Sequence, residues 1–461
     1  MGWRTERDSL GKVNVPEKAY FGGQTQRAIE NFPISGLTQY AEFIRAYSIV
    51  KKAAAVANMR LGKLDRKRGQ AIAKAAAEVM EGKWDREFRV DVFQAGGGTS
   101  TNMNLNEVIA NRAEELLGGK RGSYRLIHPN DHVNMSQSTN DTYHTAAHIS
   151  VYLAIRKELI PALKGLQKSL EKKSNQFKSI VKSGRTHLKD AMPLTLGQEF
   201  SGYASAVSHG IKRLEVISES LKELAAGGTA VGTGVNAPRG YTEAVVREIS
   251  RISGIRFRKS KNFFNALQNQ NVETEVSGAL RTVAVSLSKI SNDFILLSSG
   301  PNTGLGEITL PAVQPGSSIM AGKINPSIPE MVNMVCFRVL GNDLAVAEAA
   351  RSGQLELNVY LPIIAYSVLD SAKILTSAIR IFDRRCVQDL RANERRIREN
   401  LERNPVVATA LSPYIGYEKT AEVVKIAYEK GIPVRDVILQ KRLMPKEKLD
   451  RILNYKRVVT P

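Results

Sequence analysis

Cysteine is nearly absent. The 461 residues hold two, Cys336 and Cys386, both in apolar or helical surroundings. They make neither a disulfide framework nor a C-x-x-C pair, so the chain reads as one for a reducing, cytoplasmic compartment. Long apolar runs are also missing: none approaches the ~20 residues a bilayer demands. The N-terminal Met1-Gly2-Trp3-Arg4-Thr5-Glu6-Arg7-Asp8 lacks an apolar signal core. No membrane partner is expected. Acidic residues are outnumbered, 45 Asp and Glu against 66 Lys and Arg, giving a net charge of +21. Such a charge draws nucleic acid or acidic ligands. Yet the basic residues are scattered among acids, as in Glu394-Arg395-Arg396-Ile397-Arg398-Glu399, and no basic block alternates with aromatics. A salt-bridged surface of the kind found in heat-stable proteins is the expectation, with no nucleic-acid partner. No G-x-G-x-x-G follows a strand and no Walker A is present, so no nucleotide cofactor is expected. His128 and His132 are four apart, as are His144 and His148. That spacing puts two imidazoles on one helix face. Neither pair reads H-E-x-x-H, and Pro129 interrupts the first, so no metal is expected.

What is present is mostly helix. The chain exceeds one ordinary domain, and 43% hydrophobic residues suffice for a large core. The first forty residues are turn-rich, punctuated by Pro16, Gly22, Gly23, Pro33 and Gly36. Phe43, Ala46, Tyr47, Val50, Ala54 and Ala57 then recur at helical spacing, and Tyr152, Ile155, Leu159, Leu163, Leu166 and Leu170 mark another face. The cleanest pattern is Val276, Leu280, Val283, Leu287, Ile290, Phe294 and Leu297, in steps of four and three. This heptad seam belongs to long helices packed at shallow angles. It predicts a helical bundle, and an oligomer if the seam packs between chains. Helical pattern continues to about Phe382, broken at Pro362. From about Cys386 helices shorten and charge becomes denser, which marks a small C-terminal domain. Strands are expected only near Val90–Phe93 and Arg256-Phe257. The fold class is mainly α.

Four polar, glycine-flanked clusters interrupt the helices: Gly97–Asn102, Ser138–Asn140, Thr186-His187 and Ser317–Asn325. In the first, Asn104 or Asn106 is expected near the cap of the next helix. The last lies in Gly316-Ser317-Ser318-Ile319-Met320-Ala321-Gly322-Lys323-Ile324-Asn325-Pro326. Glycines let this backbone curl and turn successive N–H groups inward, an anion-binding concavity to which Lys323 adds charge and Asn325 amide donors. A flexible polar surface loop is the plain alternative. Long helices carry distant loops to one bundle end, so the clusters can converge. Hydroxyls, amides, one imidazole and one ammonium suit a small polycarboxylate without a metal. His187 is the acid/base candidate, against a capping or core role. Ser317 lacks the G-x-S-x-G elbow, so no acyl-transfer triad is indicated.

These residues resemble the fumarase/aspartase superfamily. Gly316–Pro326 is similar to its signature GSSxMPxKxNP, with Ala321 in place of a proline. Thr186–Asp190 with Pro193–Phe200, and His128–Asn134 with Ser136–Asp141, resemble its class II fumarase and aspartase branch. The resemblance runs through nearly the whole chain. It implies a three-domain α protein, divided at 1–136, 137–386 and 387–461, whose central long helices form a homotetramer with active sites shared between subunits. It implies reversible hydration of fumarate to L-malate, or, as the alternative, release of ammonia from L-aspartate. Ser317 is then the base that removes the proton beside a carboxylate, and His187, paired with Glu330, acts at the leaving group. Ser318, Lys323 and Asn325 hold the substrate carboxylates; Gly97, Thr99, Ser138, Thr139, Asn140 and Thr186 line the rest. His128 and Asp131 match a second, peripheral carboxylate site. Gly97 replaces a serine usual in fumarases, and Thr139 and the Gly353–Asn358 stretch lean towards aspartase. Gly227–Gly234, Asn262–Leu267, Gly300–Glu307 and Ala410–Tyr417 look like fumarase.

Overall fold

The computed structural model describes residues 2–454. Among them the strands form four two-stranded sheets, and helices make up most of the rest. The chain divides into two compact units.

The first unit comprises Met1–Ile160, Arg213–Thr282 and Arg338–Ile374. It opens on an antiparallel hairpin, Trp3–Asp8 with Gly11–Pro16, inside the stretch that composition marks as turns. Val13 and Val15 point inward at alternate positions. Helix Ala41–Arg60 is the hub. It packs on helices Arg66–Met80, Thr139–Leu153 and Tyr241–Ser253. The predicted face Phe43, Ala46, Tyr47, Val50, Ala54, Ala57 is buried, but so are Ile44, Ile49, Ala53 and Ala55. With neighbours on several sides the helix is apolar nearly all round, which blurs the amphipathic stripe. Phe43, Tyr47 and Tyr143 meet edge-on or tilted, with ring centroids 4.8–5.9 Å apart.

The second unit comprises Pro161–Lys212, Val283–Phe337 and Leu375–Pro461. A second antiparallel hairpin, Val181–Thr186 with Lys189–Thr195, leads into helix Leu196–Ile217. Neither hairpin is foreseen from strand composition: apolar alternation in them, as at Val13 and Val15, spans too few residues to stand out. Of the predicted strands, Asp91 makes an isolated bridge with Thr38, and the other is the two-residue Arg258–Lys259. After Leu401, short helices close over their own core of Val407, Leu411, Val423, Ile438 and Leu449.

All seven seam residues of helix Asn271–Leu297 are buried within the chain. Helix Leu361–Val387 is long and apolar enough, by length and composition, to cross a membrane; 78% of its apolar window is buried in the protein, as befits a core helix. Asp370 and Lys373 lie within it, so the apolar run itself is not continuous.

Phe294 on that seam is fully buried, 5.5 Å between centroids from both Phe200 and Phe382 and 5.8 Å from Tyr203. Phe294→Ala is expected to lower unfolding free energy by about 3–5 kcal/mol through lost burial and a cavity. A shift of the denaturant midpoint measures it.

Candidate active site

The first unit brings together the N-termini of two helices, Thr99–Leu116 and Thr139–Leu153. The first begins after Gly97 (φ 70°) and Gly98 (φ 86°), both left-handed. A Cβ on Gly98 would lie 2.1 Å from the Tyr143 ring, so only glycine fits. One on Gly97 would meet Asn140 Oδ1 at 3.6 Å, so there the backbone conformation is the obstacle. The helix starts at Thr99, earlier than the expected cap; Asn104 and Asn106 are buried inside it. Gln94 does the capping from upstream: its Oε1 accepts the Thr101 N–H at 2.9 Å and hydroxyl at 2.8 Å. The second helix is capped by Ser138, with a reciprocal bond from the Ser138 N–H to Asp141. Asn102 Nδ2 donates to Thr139 Oγ1 at 2.9 Å, joining the two helix starts. Asn140 Nδ2 donates to the Ala230 carbonyl at 2.7 Å. Thr99 is exposed, Ser138 and Asn140 half-buried, Thr139 buried. Paired helix N-termini with hydroxyls and amides form a seat for an anion.

Behind this seat lies a buried network. Asp141, fully buried, accepts the Gly227 and Thr229 N–H groups at 2.8 and 3.1 Å. Burial pushes its carboxyl up to about 6 against these bonds and the charge of Lys51. Lys51, also fully buried, donates to Asn134 Oδ1 and Gln137 Oε1, both at 3.0 Å. Asn134 Oδ1 accepts from Asn102 and Asn106 as well. Burial pulls the Lys51 ammonium down to about 7, opposed by Asp141. Sequence reasoning misses Lys51, Gln94 and Asp141. A lysine in an alanine-rich helix reads as surface, and only tertiary contacts reveal the other two roles.

The second unit carries the remaining candidates on two elements. Thr186 ends the first strand of its hairpin, and His187 and Leu188 form the two-residue turn. Both turn residues are left-handed, φ 55° and 56°. That geometry favours asparagine and glycine, and strained side-chain-bearing residues gather at functional sites. The hairpin base is held by Glu307, whose side chain is fully buried: Arg185 lies 2.6 Å from it and Lys182 3.0 Å. Burial would raise the Glu307 carboxyl, but the two cations hold it below the usual range. The tip from Thr186 to Asp190 is exposed.

The loop Gly316–Pro326 curls as its composition predicts. The Gly316 N–H donates to the Lys323 carbonyl at 2.9 Å, and Asn325 Nδ2 donates to the Gly316 carbonyl at 2.6 Å. Ser317 Oγ accepts the N–H groups of Met320 at 2.9 Å and Ile319 at 3.2 Å. Ser318 and Lys323 are exposed, Asn325 half-buried. One of the two Asn325 Nδ2–H groups is committed to the loop's own backbone. Glu330 is exposed in the first turn of helix Ser327–Arg351. Among the described residues, no hydrogen bond or ion pair links it to His187. His128 and Asp131 lie in the first unit: the Asp131 N–H donates to His128 Nδ1 at 3.2 Å, and a carboxylate oxygen sits 3.3 Å from the same nitrogen.

A family profile described as "Lyase" matches residues 11–341, and one described as "Fumarase C C-terminus" matches 407–460. The chain belongs to the fumarase/aspartase superfamily of lyases. An aspartate ammonia-lyase of Bacillus sp is 46% identical over 458 residues, 99% of this chain and 98% of the relative. A class II fumarate hydratase of Brucella suis is 47% identical over 458 residues, 99% of each chain. The crystal structure of the class II fumarase of Schistosoma mansoni superposes with a TM-score of 0.96 at 39% identity, over 100% of both chains. This lyase therefore has the mainly α fashion of fold that the motifs imply.

Lys51 supplies a pH test in this fumarase/aspartase-family lyase. Its folded pKa of about 7 lies below the unfolded lysine value. Between about pH 7 and 10 the unfolded state therefore binds more protons, and stability rises with pH by up to about 1.4 kcal/mol per unit. Lys51→Met is expected to remove that rise. Urea melts of both proteins across this range measure the difference in slope.

Proposed function

We propose that this lyase hydrates fumarate reversibly to L-malate, with Ser317 as the base. The carrying observation is the pair of backbone N–H groups, from Ile319 and Met320, aimed at Ser317 Oγ. A serine is a poor base unless its alkoxide is stabilised; these donors do that, and Lys323 is carried on the same loop. Ser317 takes the proton from the carbon beside one carboxylate of L-malate. The carbanion charge spreads onto that carboxylate as an aci-acid, which Ser318, Lys323, Asn325 and Thr186 hold through preorganised donors. The carbon–oxygen bond then breaks, and His187 hands a proton to the departing hydroxide, leaving as water. Among the described residues no bond links Glu330 to His187 within one chain, so their pairing is assigned to the assembled protein, between copies. Gly97, Thr99, Ser138, Thr139 and Asn140 seat the other end of the dicarboxylate at the two helix N-termini. His128 and Asp131 form a peripheral carboxylate site. The small C-terminal domain from 387 closes a three-domain division at 1–136, 137–386 and 387–461. The compartment is the cytoplasm.

A second reading, release of ammonia from L-aspartate, is favoured by one observation: Gly97 offers no hydroxyl beside Asn140. The class II fumarate hydratases among the relatives support hydration instead. Ser317→Ala is expected to lower turnover of L-malate by about 10²–10⁴-fold with an unchanged circular dichroism spectrum. Wild-type protein given L-malate, L-aspartate and argininosuccinate side by side should form fumarate from L-malate. Fumarate from L-aspartate alone would establish the ammonia-lyase.

The proposal includes a homotetramer in which copies complete one another's sites. Met334, Phe337, Leu340 and Leu344 are exposed on helix Ser327–Arg351, at 62%, 63%, 40% and 64%. Spacings of three and four put them on one stripe, and apolar stripes of this kind mark interfaces. A second copy of the chain is the occupant. Phe337→Asp is expected to shift the mass in light scattering below four chains and to abolish activity together with assembly.

A further inference from the structure

We infer that His144, His148 and Glu273 form a buried binding site for a divalent transition-metal ion, best suited to zinc. His144 and His148 sit four apart on one face of helix Thr139–Leu153. Their rings are 4.1 Å apart between centroids. Glu273, from the first turn of helix Asn271–Leu297, reaches the same point. Its Oε1 lies 3.0 Å from His148 Nε2 and 3.6 Å from His144 Nε2. Zinc with bonds of about 2.0–2.2 Å in tetrahedral array spaces its ligand atoms about 3.3 Å apart, so the two distances straddle what a zinc centre needs. One ligand atom from each residue falls within 4.8 Å of the others.

The cluster is also dry and short of partners. The side chains are 4%, 2% and 3% exposed. Glu273 Oε1 and Oε2, His144 Nδ1 and His148 Nε2 all lack a well-directed hydrogen bond. Buried polar atoms are rarely left so, and four such atoms on three neighbouring side chains call for an ion. His148 is prepared for the role. Its Nδ1 lies 2.8 Å from the Glu223 carbonyl oxygen, which fixes the proton there and leaves the Nε2 lone pair facing Glu273. Two neutral imidazoles and one carboxylate carry a single negative charge, which a divalent cation offsets. Gln270, three residues before Glu273, is likewise buried with neither amide atom partnered, and is a candidate fourth donor.

The residues differ from those assigned to the reaction, and no solvent route is needed for turnover. The ion would act as a structural clamp, tying the helix that starts at Thr139 and Asn140 to helix Asn271–Leu297. A bare His148–Glu273 ion pair beside a neutral His144 is the competing description, and it predicts no metal.

Untagged protein, stripped with a chelator, reloaded with zinc chloride and dialysed, is expected to retain about one zinc per chain by elemental mass spectrometry. Zinc should raise the thermal midpoint of the wild type, by mass action on the folded state. His144→Ala and Glu273→Gln should hold less than about a tenth as much and show no zinc-dependent shift. Retention below about 0.1 zinc per wild-type chain, or equal retention in wild type and His144→Ala, overturns the site. Should neither variant fold, cobalt(II) loading of the wild type decides: intense four-coordinate d–d bands support the site, and a weak hexa-aquo-like spectrum overturns it.

Discussion

Asp141 is buried without a cation in hydrogen-bond contact, yet it accepts backbone N–H groups from Ser138, Gly227 and Thr229. The same device recurs. Glu107 accepts the N–H groups of Gly22, Gln24 and Thr25. Glu114 accepts those of Leu126 and Ile127. Loops that cross a helical body cannot satisfy their backbone among themselves, and an unmet buried N–H costs about 1–3 kcal/mol. A carboxylate offers roughly four acceptor positions from one short side chain. In a chain of net charge +21, these few interior acids fix where the connecting segments run.

That anchoring explains how small polar clusters become a site. In the first unit Asp141 ties the start of its own helix to the Gly227–Thr229 turn, and the amide chain through Asn134 and Asn102 ties that helix to its neighbour. Ser138 and Asn140, two of the groups proposed to meet substrate, are the outer ends of a network whose inner members include the buried Lys51, Asn102 and Asp141. In the second unit Glu307 does the equivalent work with two cations, leaving Thr186 and His187 at an exposed tip. Rigid bases with exposed ends favour preorganised recognition. Loop Gly316–Pro326 differs. It is held by its own backbone and by Asn325, and among the described residues no buried carboxylate hydrogen-bonds to it, which suits the closing movement proposed for it.

The surface tells a complementary story. Salt bridges at i,i+3 and i,i+4, such as Arg351–Glu348 and Arg395–Glu399, interleave the charges along helices. Exposed pairs of this kind contribute little to stability, because water screens the charges and long side chains lose freedom in forming them. Along these helices each such cation has an acid beside it. Among the exposed apolar residues, Met334, Phe337, Leu340 and Leu344 share one helix, the one that follows loop Gly316–Pro326.

Much of this was legible from residues alone. The heptad seam from Val276 to Leu297, the glycine-bracketed loop at Ser317 and the polar clusters at Gly97 and Ser138 are local patterns, and local patterns survive in one dimension. They determined the mainly α class, the family and the candidate residues. Tertiary structure decided the rest. It placed Lys51 in the interior, because burial depends on which helices surround a position and not on its own sequence neighbours. It turned Thr186-His187 into a hairpin tip, because the pairing of Thr186 with Lys189 is carried by backbone hydrogen bonds that composition does not record. And it brought Glu273, from a distant point of the chain, to His144 and His148, where the histidine pair alone had given no reason to expect a metal.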